Sequence, residues 1–280
     1  MKVGLWISTN IAAVDMKPVA REVEALGFDS LWVPDHPAFP RHFTSDYGGG
    51  RTFPEHNKQL LDPFVALATA AGATDSLLLG TGVLLVPERN PILTAKAVAS
   101  LDQVSGGRFL FGIGAGWLRE EGELLGVDWA RRWTQTGDFM RAMQALWAPG
   151  TNAYEGRYIS FPELYCDPKP VRVRRPPVII GGEAARAVER VVDYGDGWLP
   201  RYVLSTPEQI EAGIRRLETL CRERGRDPAE IETSLFDCDG TRETYRRYGD
   251  VGVQRIVQLV PYGNREETLA HIRRLADAVL

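Results

Sequence analysis

The sequence predicts an α/β protein built as a (β/α)8 TIM barrel, and three observations carry that prediction. Short β-rich runs alternate with helical segments eight times along the chain. The runs are almost continuously apolar, as parallel strands are when helices cover their outer face and other strands fill the inner one. The length, 280 residues, suits a barrel of this kind, which uses roughly 250 residues as one unit. A βα repeat of this number points to a closed barrel over an open sheet.

VGLWIS reads as the first strand, followed by a helix over 16–26. DSLWVP precedes a helix over 63–73, and LLLGTGVLL one over 92–104. RFLFGIGAG leads into charged helical sequence from Leu118 and a longer helix ending at Trp147. PPVIIGG pairs with a helix over 184–194, GWLPRY with 208–224, IETSLFD with 241–248, and QRIVQLVP with 266–279. Ser205-Thr206-Pro207-Glu208 and Gly225 supply start and stop signals for the sixth of these units. The alternation is broken twice. A loop over 37–62 follows the second strand, longer than a structural connection needs. An insertion over 149–175 follows the fourth helix, and in it AYEGRYISF reads as a hairpin around Glu155-Gly156. No shift in composition divides the chain, so residues 1–280 are expected to form one domain.

Composition narrows the function. A net charge of −4 leaves no basic footprint for nucleic acid. The opening MKVGLWIST lacks the long apolar core of a signal peptide, and the longest apolar runs are too short and glycine-broken to cross a bilayer. Three widely spaced cysteines fit reduced thiols and a cytoplasmic location. Four histidines without paired spacing give no basis for a metal site. No G-x-S-x-G elbow supports serine hydrolase chemistry.

Candidate site residues gather where strands end, the face on which barrels carry their chemistry. VPDHP puts Asp35 and His36 there; the histidine suits proton transfer or binding a ring, and a turn satisfying backbone groups is the plain alternative. GTGVLLVPERNP carries glycines inside a strand, which mark either a bulge or close approach by a ligand. FLFGIGAGW has Gly112, Gly114 and Gly116 followed by Trp117. Its G-x-G-x-G spacing differs from the dinucleotide G-x-G-x-x-G and sits too late in the chain for a first βα unit. Those glycines either admit a flat group or serve layer packing. Gly181 and Gly182 lead into a helix N-terminus, a favourable place for phosphate, and Glu183 would repel one unless turned away. The pair Glu120-Glu121 reads as a solvated helix face, and VRVRRPP as a surface connection.

Taken in order, FDSLWVPDH, LLLGTGVLLVPERNPILTAKAVASLDQVSGGR, FLFGIGAGWLREEGELLGVD, PPVIIGG and YGDGWLP resemble the bacterial luciferase-like monooxygenase superfamily, over nearly the whole chain. Within it the chain is most similar to the branch that uses coenzyme F420, an 8-hydroxy-5-deazaflavin. The resemblance implies a tricyclic ring at the barrel mouth, backed by a bulge with a non-proline cis peptide at Gly82-Val83 and running on to Leu84. It implies cofactor contacts from Gly114, Gly116, Gly181, Gly182 and Glu183. Asp35 and His36 match an acidic-histidine pair beside the ring, with proton transfer assigned to the histidine. Trp117 stands where related sugar-phosphate dehydrogenases carry an acidic glutamate, so their substrate does not carry over. Leu85 replaces a hydroxyl residue.

The activity so implied is hydride transfer between the deazaflavin C5 and a small organic substrate, in a pocket shaped by Trp117, Phe39, Phe43, Tyr47 and Phe53. An FMN-dependent monooxygenase is the alternative; a deazaflavin has carbon at position 5 and does not support that oxygen chemistry, so cofactor separates the two. A non-catalytic flavin-binding protein is a third reading. Family members commonly dimerise, so a homodimer is expected.

Overall fold

The computed structural model describes residues 1–10, 14–47, 53–172, 175–183, 185–238 and 240–280. The first unit is β1 (Lys2–Trp6) with α1 (Met16–Ala25), and the second β2 (Ser30–Val33) with α2 (Pro63–Ala71). The third strand is split into β3 (Leu78–Thr81) and β4 (Leu84–Leu85) and leads to α3 (Pro91–Val104). The fourth unit is β5 (Phe109–Gly114) with α4 (Arg119–Leu124) and α5 (Arg132–Trp147). A hairpin of β6 (Asn152–Glu155) and β7 (Ser160–Leu164) intervenes. The chain then runs through β8 (Val178–Gly181), α6 (Ala185–Tyr194), β9 (Gly197–Leu199), α7 (Pro207–Glu223), β10 (Glu232–Phe236), α8 (Arg242–Asp250), β11 (Arg255–Leu259) and α9 (Arg265–Val279). Ala184, the expected start of the helix after β8, lies outside the described residues, as do Gly48 to Thr52 of the long loop.

The strands pair in parallel and close: β1 lies between β11 and β2, β3 joins β5, and β8, β9 and β10 complete the circuit back to β11. The result is the expected (β/α)8 barrel. Helix starts are set by local chemistry. Thr206 caps α7 in a reciprocal capping box with Gln209, ahead of Pro207, satisfying two orphan N–H groups at once. Asp62 caps α2 through the N–H groups of Phe64 and Val65, and its second oxygen is thereby left to meet Arg89.

Inside the barrel a small apolar layer of Trp32, Leu110, Ile179, Leu199 and Val257 forms the floor beneath the strand ends. Two glycines of the strand interiors serve this layer. A side chain at Gly80 would overlap the indole of Trp32, and one at Gly112 would overlap the carbonyl of Thr81. At both positions packing, and not ligand approach, accounts for the glycine. Trp32 is fully buried and fixed by its N–H donating to Ser30 Oγ at 2.9 Å, so it has no room to yield. Gly80→Ala is expected to lower stability by about 1 to 3 kcal/mol, the usual cost of overpacking. Urea unfolding followed by near-ultraviolet dichroism measures this, and a change below about 0.5 kcal/mol would contradict the packing account.

Candidate active site

Every barrel strand contributes its C-terminal end or the residues just beyond to one cavity of about 500 Å³. Its deep wall is apolar, with Trp6, Val83, Leu199 and Phe236 among its residues. The Gly82–Val83 peptide is cis, and the Gly82 carbonyl accepts the indole N–H of Trp6 at 2.8 Å. The split between β3 and β4 therefore presents backbone and the Val83 side chain to the cavity. Gly114 and Gly181 flank Val83, where side chains would crowd it. Leu84, expected to touch a cofactor, instead turns away and is fully buried in the core between barrel and helices, since the chain returns to strand alternation there and Leu85 takes the cavity side.

Asp35 is tied down. Its side chain is fully buried; Oδ1 accepts from Arg89 Nη2 at 2.6 Å, while Oδ2 accepts from Arg89 Nε and from the Leu85 N–H, both at 3.0 Å. The fork of the guanidinium meets the carboxylate with two parallel bonds, a strong and directional pairing. Burial alone would lower the Arg89 basicity, but its bonds and charge contacts with Asp35 and Asp62 outweigh that and hold it above the ordinary value. Asp35 thus anchors the bulged strand through Leu85, and its oxygens are committed to that task.

His36 is held at both nitrogens. Nδ1 lies 2.6 Å from Glu121 Oε2, and Nε2 accepts the Trp117 indole N–H at 3.0 Å. The other Glu121 oxygen takes the Ala38 N–H at 2.9 Å, and the Glu121 side chain is wholly buried. Glu120, next to it, accepts from the backbone and hydroxyl groups of Thr44 and Ser45. Those bonds, the Ser45 hydroxyl foremost, bring its carboxyl down to about 2. The acidic pair of α4 is therefore no solvated face: one carboxylate orients the histidine and the other pins the loop that follows β2.

That loop builds an aromatic cluster over the cavity. Trp117 packs with Tyr47 at 5.0 Å and Phe53 at 5.7 Å between ring centroids, and Phe43 stands edge-on at 6.0 Å. Trp117, Tyr47 and Phe53 line the cavity. Phe39, also expected to do so, is not among the lining residues; its ring packs on His36 at 4.5 Å and on Phe53 at 4.9 Å.

At the opposite rim, Gly181, Gly182 and Glu183 border the cavity ahead of α6. Glu183 is turned onto Arg201, which donates Nε–H at 2.8 Å and its backbone N–H at 3.1 Å. The carboxylate that would have repelled a phosphate is neutralised by this partner.

The family of luciferase-like monooxygenases matches residues 1–238. The chain belongs to this family. A protein of Mycobacterium tuberculosis (strain ATCC 25618 / H37Rv), described as uncharacterized, is 28% identical over 281 residues, spanning 99% of this chain and 98% of its own. Among solved structures, an F420-dependent secondary alcohol dehydrogenase in complex with an F420-acetone adduct superposes with a TM-score of 0.77 at 18% identity, covering 100% of this chain and 99% of that one. The oxygenating constituent of 3,6-diketocamphane monooxygenase from Pseudomonas putida, in complex with FMN, gives 0.65 at 16% identity over 87% of this chain and 69% of that one. Luciferase-like folds thus accommodate either cofactor.

Two charged residues of this luciferase-like site, Arg89 and Glu88, went unread in the sequence, and Glu121 was read there as part of a solvated helix face. Glu88 is buried, and neither of its oxygens has a hydrogen-bond partner. It packs under Gly116, where a side chain would collide with Oε1. Burial first, then the charges of Glu121 and Asp35, push its carboxyl up to about 9 against the opposing pull of Arg89. Glu88 is accordingly a neutral acid at neutral pH. Among the described residues no cluster of three or more His, Cys, Asp or Glu could hold a metal ion, and no helix is long and apolar enough to cross a membrane.

Proposed function

We propose that this luciferase-like protein is a coenzyme F420-dependent oxidoreductase that transfers a hydride to or from a small organic substrate. The observation that carries the reading is the Glu121–His36 pair at the cavity wall, with one imidazole nitrogen on a buried carboxylate and the other on Trp117, which lines the same cavity. An imidazole so oriented suits the single proton that accompanies a hydride.

The residues fit a flat ring with a phosphate-bearing tail. Val83, between Gly114 and Gly181, offers a wall with little side-chain relief. The start of α6, beside Gly181 and Gly182, would face the phosphate, where the N–H groups of the first helical turn and the helix dipole favour an anion. The deazaflavin, when bound, supplies the two-electron chemistry at its C5 position. The protein's part is to orient that ring, exclude water with the aromatic roof, and hold or move a proton at His36 Nε2. Asp35 would act only through the wall it anchors. FMN is the competing cofactor, since the Pseudomonas putida structure with FMN shares the fold.

Titration of the purified protein with F420 and with FMN, each followed by cofactor fluorescence, tests the choice. Preferential binding of F420 is expected; preference for FMN would overturn it in favour of monooxygenase chemistry. With a substrate in hand, His36→Asn is expected to bind F420 normally and lose about 100- to 10,000-fold in turnover. Undiminished turnover would remove His36 from proton transfer.

A further inference from the structure

Outside the cavity, the seam between α5 and α6 carries positive charge that no carboxylate answers. The Arg190 guanidinium stacks on Trp133 at 4.0 Å, and that of Arg132 on Trp129 at 4.4 Å. Among the described residues neither forms an ion pair, nor does Arg186, one turn ahead of Arg190. Stacking uses the face of a guanidinium and leaves its in-plane N–H donors free. Arg132 gives one of them to the Trp129 carbonyl at 3.1 Å, but its Nε is buried without a partner, and so is the hydroxyl of Tyr194. Tyr194 follows Arg190 by four residues and so shares its face of α6. Its ring lies 3.9 Å from where a side chain on Gly137 of α5 would begin, which puts both orphaned donors between the same two helices.

The seam is costly as it stands. Burial first, then the charges of Arg186 and Arg132, hold Arg190 below the ordinary arginine basicity, although Tyr194 and Glu189 pull the other way. Burial does the same to Arg132. A cation drawn from water without an anion is destabilising, and an anion in the seam would offset that cost.

We infer that this seam holds the anionic tail of the cofactor, the chain of carboxylates that F420 carries beyond its phosphate; the inference rests on the F420 reading of the cavity. Trp133 both lines the cavity and carries Arg190 on its ring, so cavity and seam share a wall. From the start of α6, where the phosphate is placed, Arg190 lies about 8 Å further along the helix. A carboxylate offers the two oxygens that a guanidinium fork takes in parallel. FMN stops at its phosphate and has nothing to put there. Arg132 and Arg190 are binding residues in this account, supplying affinity and no chemistry.

The test needs binding alone. F420 with a multi-glutamate tail, and a tail-less form ending one unit beyond the phosphate, are titrated into the whole protein and followed by deazaflavin fluorescence at low and high salt. The wild type is expected to bind the tailed form about tenfold more tightly, the worth of one charge-assisted hydrogen bond. High salt should shrink that advantage by screening. In the double variant Arg132→Gln with Arg190→Gln the tailed form should fall to the level of the tail-less one, whose own affinity holds. Equal affinity of the two forms in the wild type overturns the inference, whatever the variant does. So does a double variant, shown to be folded by circular dichroism, that keeps the advantage or loses both forms alike. Those outcomes leave the F420 reading standing. If neither form binds and FMN does, the F420 reading fails and the inference falls with it.

Discussion

Arg89→Met is expected to destabilise the protein by about 3 to 5 kcal/mol, the cost of leaving a buried charge without its partner. The Asp35 side chain is fully buried and receives three hydrogen bonds, two of them from this guanidinium. Without Arg89 it keeps the Leu85 N–H alone, in surroundings that already hold Glu88 and Glu121. Asp62 loses a partner too, at 2.9 Å, although it is more exposed and can turn to water. Methionine retains much of the side-chain volume, so the change reports charge more than cavity. The double variant Asp35→Asn with Arg89→Met should recover most of the loss: the asparagine amide oxygen can still accept the Leu85 N–H, and no buried charge remains. Urea unfolding of wild type, single and double variants forms the test. A single variant within about 1 kcal/mol of wild type, or a double variant no better than the single, would sink the account.

The same cluster shows where the sequence was readable and where it was silent. Eight apolar runs with helical partners are local signals, set by periodicity within a few residues, and Thr206, Pro207 and Gly225 mark the ends of α7 within a turn. They carried the barrel and the face on which the site lies. Asp35 and His36 were legible because a strand end needs no partner to be located. Their roles were not, because Arg89 lies 54 residues beyond Asp35 and Glu121 lies 85 beyond His36. Two adjacent glutamates on a six-residue helix look alike until the loop after β2 folds back on them, giving one a partly buried imidazole and the other a pair of hydroxyls. The strand glycines carried a similar ambiguity. Gly80 and Gly112 proved to make room for Trp32 and a neighbouring strand, whereas Gly114 and Gly181 border the cavity beside Val83. Only the identity of the facing side chain separates those cases.

Glu88→Gln is expected to become more stable relative to wild type as pH rises, and the slope is the informative quantity. Glu88 releases its proton near 4.5 when unperturbed and at about 9 in the folded protein. The folded state thus holds this proton over a range where the unfolded chain has lost it. Stability from that binding is fully present below about pH 4.5 and is lost as pH climbs through about 9. Glutamine keeps the shape of the neutral acid and does not titrate, so whatever its offset from wild type, that offset adds no pH dependence. Each pH unit inside the window is worth up to about 1.4 kcal/mol, hence about 2.7 kcal/mol between pH 6 and pH 8, with a ceiling near 6 kcal/mol across the whole range. Unfolding curves for both proteins at half-unit intervals would reveal it as a widening gap that levels off above about pH 9. A gap that stays constant from pH 5 to pH 9 would mean that Glu88 is ionised in the fold and that a partner for its carboxylate exists beside Gly116. A gap that widens only to pH 7 would place its proton loss two units lower, and the charges of Asp35 and Glu121 would then bear on it less than their burial beside it implies.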